Sequence, residues 1–218
     1  MSPWVICGFI QRGIENLDKA APNLVRRDRT NDSHGMHTQR PALPAPESLP
    51  EWLLRDLRSD HAGETGAVFI YRGILRFARD PQLRAFAEEH LATEVTHLQA
   101  FETWLRDGDK SRLIPLWRIA GWTLGALSLL GGRRGVFLTI EAVETFVVEH
   151  YQQQLDAIGG DEGLADVRAL LARFMQDEDH HREDAAQRKA EALGAFGRFW
   201  STIVGSGSAY AVVVSRRI

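Results

Sequence analysis

The strongest constraint on this chain is a set of acids placed where helical cores should be apolar. Four stretches carry apolar residues three and four apart, the spacing of one helix face. They cover residues 60–78, 81–105, 135–158 and 163–193, with Ser59 or Asp60 expected to cap the first. The first stripe reads Glu64, Ala67, Val68, Tyr71 and Leu75, and the second Phe86, His90, Glu94, His97, Phe101 and Leu105. The third reads Phe137, Ile140, Glu144, Val147, Val148, Tyr151 and Leu155. The fourth reads Leu164, Val167, Leu171, Phe174, Glu178, His181 and Ala185. Every stripe holds a carboxylate. Burying one unpaired is costly, so such groups pair with charge or bind a cation.

The acids also repeat. Glu64 is followed 30 residues later by Glu94-x-x-His97, and Glu144 is followed 34 residues later by Glu178-x-x-His181. Residues at i and i+3 are neighbours on one helix face, so each Glu-x-x-His pair points one way. Four helices carrying this set form an all-α, ferritin-like four-helix bundle with a carboxylate-bridged di-iron or di-manganese centre. The donors are oxygen-rich and sulfur-free, which favours iron or manganese over structural zinc. Cys7 is the single cysteine, so neither a disulfide within the chain nor a cysteine cluster is available.

Several neighbouring residues compete for these roles. Asp177 and His180 form a second acid-x-x-His pair one step round the same helix, but off the apolar stripe. Glu141 lies one turn before Glu144 and reads as a ligand or an acid supporting one. His90 sits on its stripe as a core histidine or a ligand. His61, His150 and Tyr151 read as outer hydrogen-bonding partners that orient the ligands. Glu88, Glu89 and Glu102 read as a solvated face, and His34 and His37 as polar-segment residues.

Pro41, Pro44, Pro46 and Pro50 crowd one short stretch and mark a semi-rigid linker. Residues 1–50 are therefore expected to be an appendage, and residues 51–218 the working domain. Residues 4–10 are apolar but short, with no preceding cation, which is a poor secretory signal. A small amphipathic helix through Ile6, Phe9, Ile10 and Leu17 is the alternative. Arg12, Arg26, Arg27 and Arg29 suit a mitochondrial address, but Glu15, Asp18 and Asp28 argue against it. The net charge of −3 makes the chain a poor candidate for wrapping nucleic acid, which needs clustered positive charge.

Two uncharged stretches, 119–132 and 199–215, bear on membranes. As a helix the first would be about 21 Å long at ~1.5 Å per residue, short of a ~30 Å hydrocarbon core. They read either as buried bundle helices or as helices in a membrane interface. In the second case Trp117, Trp122, Trp200 and Tyr210 sit near headgroup level, flanked by Arg133, Arg134, Arg216 and Arg217.

The run Asp60-His61-Ala62-Gly63-Glu64-Thr65-Gly66-Ala67, continuing Ile70-Tyr71-Arg72-Gly73, resembles the demethoxyubiquinone hydroxylase family of ubiquinone biosynthesis. So do Ile114-Pro115-Leu116-Trp117 before an apolar, glycine-containing helix, Ala142-Val143-Glu144 with His150-Tyr151, and the ending Ser215-Arg216-Arg217-Ile218. Thr65 departs from the family pattern, where an apolar or aromatic residue is expected.

The resemblance implies that Glu64, Glu94, His97, Glu144, Glu178 and His181 are the ligands of two iron ions. It implies a monooxygenase that hydroxylates the benzoquinol ring of a polyprenylated precursor, with O2 as co-substrate and an external reductant. It implies a peripheral membrane protein on the cytoplasmic face of a bacterial inner membrane, or on the matrix side of the mitochondrial one. Its partners would be the lipid surface, other quinone-biosynthesis proteins and a second copy of itself. The other readings of the same site are a ferritin-like oxidase, peroxidase or ferroxidase, and a non-catalytic quinone- or lipid-binding protein.

Overall fold

The computed structural model describes residues 43–189 and 194–218. The chain divides into Met1–Arg40 and Pro41–Ile218, and the described residues all belong to the second unit. The amphipathic helix through Leu17, the arginines before residue 30, and His34 and His37 lie outside the described residues.

Among the described residues there are six α-helices and no strand: α1 (Glu51–Phe77), α2 (Pro81–Trp104), α3 (Ile114–Ser128), α4 (Gly132–Ile158), α5 (Ala165–Lys189) and α6 (Ala195–Ser215). The all-α bundle expected from the stripes is what forms. The first helix begins at Glu51 behind an extended Pro50, not at residue 60. Ser59 and Asp60 are therefore not caps; both are buried inside α1. The two extra turns carry Leu53 and Leu57 into the core at zero exposure, and that burial outweighs the capping preference of a Ser-Asp pair. The α2 start is as expected: Asp80 accepts from the Gln82 and Leu83 amides, each at 2.9 Å, and Pro81 opens the helix. Gly159 ends α4 with φ of 56°.

The stripes fix the helix directions. Two apolar clusters flank the acidic layer. One gathers Ile74 of α1, Phe86 of α2, Phe137 of α4 and Ala185 of α5. The other gathers Leu57 of α1, Phe101 of α2, Leu155 of α4 and Phe174 of α5. Passing Glu64, α1 runs from the second cluster to the first, and α5 does the same past Glu178. α2 and α4 run the opposite way past Glu94 and Glu144. The four carboxylates thus fall into one layer with apolar packing on both sides.

α3 connects the two antiparallel pairs and lies along α1 at very close range. A Cβ at Gly125 would meet the Ile70 carbonyl oxygen at 2.0 Å, and one at Gly121 would meet the Gly66 carbonyl oxygen at 2.3 Å. Only glycine permits that approach. Residues 43–50 also pack on the bundle: Leu49 is buried and the Trp104 indole donates to the Pro44 carbonyl at 2.8 Å.

The uncharged stretches form helices with apolar residues on both their packed and their exposed faces. Leu130, beyond the end of α3, is 85% exposed, and Tyr210 of α6 is 70% exposed. Trp200 instead turns inward, donating to Thr139 Oγ1 at 2.9 Å, and Trp117 and Trp122 are half-buried. Among the described residues, no helix is long and apolar enough to cross a membrane.

Candidate metal centre

Glu64 comes from α1, Glu94 and His97 from α2, Glu144 from α4, and Glu178 and His181 from α5. All six side chains are buried, Glu94 completely. They form two overlapping groups, Glu64–Glu94–His97–Glu178 and Glu94–Glu144–Glu178–His181. In each group one ligand atom per residue lies within 4.8 Å of the others. Glu94 and Glu178 belong to both groups and stand between the two histidines.

His97 Nδ1 lies 2.8 Å from Glu178 Oε1 and 3.7 Å from Glu64 Oε2. His181 Nδ1 lies 3.1 Å from both Glu178 Oε2 and Glu94 Oε1. Burial raises Glu94 and Glu144 well above the usual carboxylate range, and the neighbouring Glu178 carboxylate pushes them further. On Glu178 burial acts in the same direction, but hydrogen bonds with His181 and His97 outweigh it and hold the carboxyl low. Both histidines are raised: burial opposes their charging, and the Glu178 hydrogen bond overcomes it.

The donor set fits divalent cations. Glu64 Oε2, Glu94 Oε2 and Glu144 Oε1 are buried with no hydrogen-bond partner among the described residues, and Glu94 Oε1 has only its close approach to His181. Such oxygens are expensive unless something satisfies them. The four carboxylates match the charge of two divalent ions, and the two imidazoles supply one nitrogen to each group.

The competing residues sort by their contacts. Asp177 is half-exposed and bonds the far nitrogen of His97, with Oδ2 3.0 Å from Nε2. His180 is exposed and stacks on His90 at 6.3 Å. Glu141 leaves the layer and pairs with Lys189. His90 is a core histidine: Nε2 lies 3.0 Å from Asp184 Oδ2, and its ring packs 4.2 Å from His181. His61 bonds Glu102, at 2.9 Å, rather than any of the six. Thr65 returns its hydroxyl to the His61 carbonyl at 2.9 Å, so the polar departure is satisfied within the helix.

Tyr151 and His150 behave differently. The Tyr151 hydroxyl donates to Glu64 Oε1 at 2.6 Å. His150 Nε2 lies 3.0 Å from Asp60 Oδ1, which also accepts from Gln154 Nε2 at 2.8 Å. Burial raises Asp60, against the opposing hydrogen bond of His150. Neither Asp60 nor Gln154 was marked as a site residue by the stripes. The signal for Gln154 was its place one turn after His150; nothing in the sequence pairs Asp60 with α4.

A cavity of about 390 Å³ opens beside this layer. Its walls are apolar, with Ile70, Leu124, Val143, Val147, Ile203 and Val204 from α1, α3, α4 and α6. Its polar lining includes Glu64, Glu94, Glu144 and Glu178, and also Asp60, His150 and Tyr151. That volume lies in the range of small-molecule sites.

A bundle of this topology, with four carboxylates and two imidazoles in one buried layer, defines a ferritin-like protein of the carboxylate–histidine type. The family model described as "Ubiquinone biosynthesis protein COQ7" matches residues 51–215, and the chain belongs to that family. The chain is 33% identical to the 3-demethoxyubiquinol 3-hydroxylase of Rhodospirillum rubrum over 187 residues, 84% of this chain and 87% of that protein. It is 30% identical to the 3-demethoxyubiquinol 3-hydroxylase of Legionella pneumophila over 190 residues, 85% of this chain and 87% of that one. It is 28% identical to the mitochondrial NADPH-dependent 3-demethoxyubiquinone 3-hydroxylase of Dictyostelium discoideum over 205 residues, 90% and 94% of the two chains.

Proposed function

We propose that this chain is an O2-dependent hydroxylase of the benzoquinol ring of a polyprenylated demethoxyubiquinol-type precursor, with two iron ions held by Glu64, Glu94, His97, Glu144, Glu178 and His181. The observation that carries this is the apolar cavity beside the carboxylate layer. Free iron would need a polar entry, whereas an aromatic ring on a prenyl tail suits these walls. The relatives' names supply the ring chemistry. The activity is assigned to residues 51–218, on which residues 43–50 pack.

Two irons bound by these six residues would supply the activation of O2, in which one oxygen atom goes to the ring carbon and the other to water, with two electrons from an external reductant and two protons from solvent. The protein's own groups do the rest. Apolar walls exclude water and strengthen each electrostatic contact at the centre. Glu94 and Glu178, shared by both groups, can shift between them as the charge changes. The Tyr151 hydroxyl holds Glu64 in place. The His150–Asp60 pair, joined Nε2 to Oδ1 at 3.0 Å, lines the cavity and as a unit can take up a proton from the ring hydroxyl.

The exposed apolar faces of α3 and α6 then lie in a lipid surface, where the cavity meets a substrate dissolved in the bilayer. On this reading the protein works peripherally at the cytoplasmic face of a bacterial inner membrane, or at the matrix side of the mitochondrial one. Quinone profiles of cells lacking the gene test the reading. The demethoxy precursor should accumulate, and wild type but not Glu178→Ala should clear it. An unchanged profile, or clearance by Glu178→Ala, contradicts it.

A further inference from the structure

The two halves of the carboxylate layer are held unequally. On the Glu64–His97 side both side chains are fixed from behind. His97 Nε2 lies 3.0 Å from Asp177 Oδ2, which leaves Nδ1 turned toward Glu64 and Glu178. Glu64 Oε1 accepts from Tyr151 at 2.6 Å. On the Glu144–His181 side neither support is present among the described residues. Glu144 Oε1 and the Tyr71 hydroxyl are both buried, and neither makes a hydrogen bond of regular geometry. The far side of His181 packs against the ring of His90, and no carboxylate among the described residues bonds it as Asp177 bonds His97.

A carboxylate behind a ligating imidazole fixes its tautomer and ring angle and makes it a better donor, and losing that partner typically costs ~10–100-fold in metal affinity. We propose that the two metal positions are unequal: the Glu64–His97 position fills first, and Asp177 is the positioning residue that makes it the tighter one. This inference rests on the metal centre proposed above. It gives Asp177 a role that single-helix reading could not, since its partner sits on α2. Asp177 acts by holding His97 and need not touch the metal.

The test is a titration of the metal-free full chain with Co(II), followed by its visible absorption and by a competing chelator. Two steps are expected in wild type, the first at least about tenfold tighter. Asp177→Asn should loosen the first step by ~10–100-fold and leave the second in place. Tyr151→Phe should move the first step in the same direction, and Glu144→Gln should remove the second step alone. Asp179→Asn removes an equal charge two residues along, from an acid paired with Arg182. It should move neither step.

A single step with two equal affinities in wild type overturns the inequality and leaves the centre standing. An unchanged first step in Asp177→Asn, or an equal loss in Asp179→Asn, overturns the positioning role. No Co(II) uptake at all overturns the centre itself, and the inference with it.

Discussion

The Tyr151 hydroxyl donates to Glu64 Oε1 at 2.6 Å and so joins α4 to α1 inside the carboxylate layer. Burial raises this hydroxyl well above its usual range, and the Glu64 charge adds to that, so it stays a donor. Tyr151 lies seven residues after Glu144, and Tyr71 lies seven after Glu64, two helical turns in each case. The Tyr71 hydroxyl is pushed up by burial and by the Glu144 charge, but makes no regular hydrogen bond. Tyr151→Phe should therefore cost about 1–3 kcal/mol of unfolding free energy, and Tyr71→Phe less than about 1 kcal/mol. Urea denaturation of the two variants checks this; an equal loss in both contradicts the difference in bonding.

That pair also marks how much of the site the sequence exposes. That the six carboxylate and imidazole residues gather in one buried layer was legible because an acid on an apolar stripe stands out against its own helix. Tyr151 was legible as a supporting residue, while Tyr71, at the matching position, read as core. Asp177 read as a competing ligand because a stripe describes one helix, and its partner His97 is 80 residues away. The start of α1 was misread because Ser59 and Asp60 look like caps, and only their tertiary burial shows that the helix passes through them. α3 and α6 could not be resolved into buried or interfacial helices because their stretches carry no charge to mark an outer face.

The approach of α3 to α1 makes a second prediction. Gly125→Ala would place a methyl 2.0 Å from the Ile70 carbonyl oxygen, and both atoms are on rigid helices. It should destabilise the fold by about 1–3 kcal/mol and reduce binding in the adjoining cavity. Gly205→Ala in α6 meets nothing within 4 Å and should be neutral or stabilise by up to about 1 kcal/mol. Chemical denaturation of both proteins reads the two signs.

The acid and histidine shifts set a pH dependence for the metal-free protein. His97 and His181 are raised from 6.5, and Glu94 and Glu144 from 4.5, so the folded chain binds more protons than the unfolded one. The histidine contribution is full below pH 6.5 and fades as pH climbs through the raised folded values. Glu94 and Glu144 lose stability in the same direction above 4.5. Glu178 is depressed, so its contribution is present above 4.5 and lost on acidification below it. Thermal midpoints of metal-free protein should fall from pH 6 toward 9. Saturating divalent metal should flatten that decline, because the ion replaces the bound protons. A midpoint that rises with pH without metal would contradict the proton count.

The exposed apolar residues predict lipid binding. Leu130→Glu with Tyr210→Glu alters two side chains that are 85% and 70% exposed, so the fold should be unchanged. Binding to anionic phospholipid vesicles, read by flotation, should drop by about tenfold or more, since a charge costs heavily in the apolar boundary. Equal flotation of the variant and wild type would place the lipid contact elsewhere.

The most direct measurement uses iron-loaded protein, a chemical reductant, a short-chain demethoxyubiquinol and isotopically heavy O2, with the product read by mass spectrometry. One heavy oxygen atom should appear on the ring in wild type and none in Glu178→Ala. Ring hydroxylation that draws its oxygen from water, or iron oxidation that leaves the ring untouched, would contradict a hydroxylase built on these six residues.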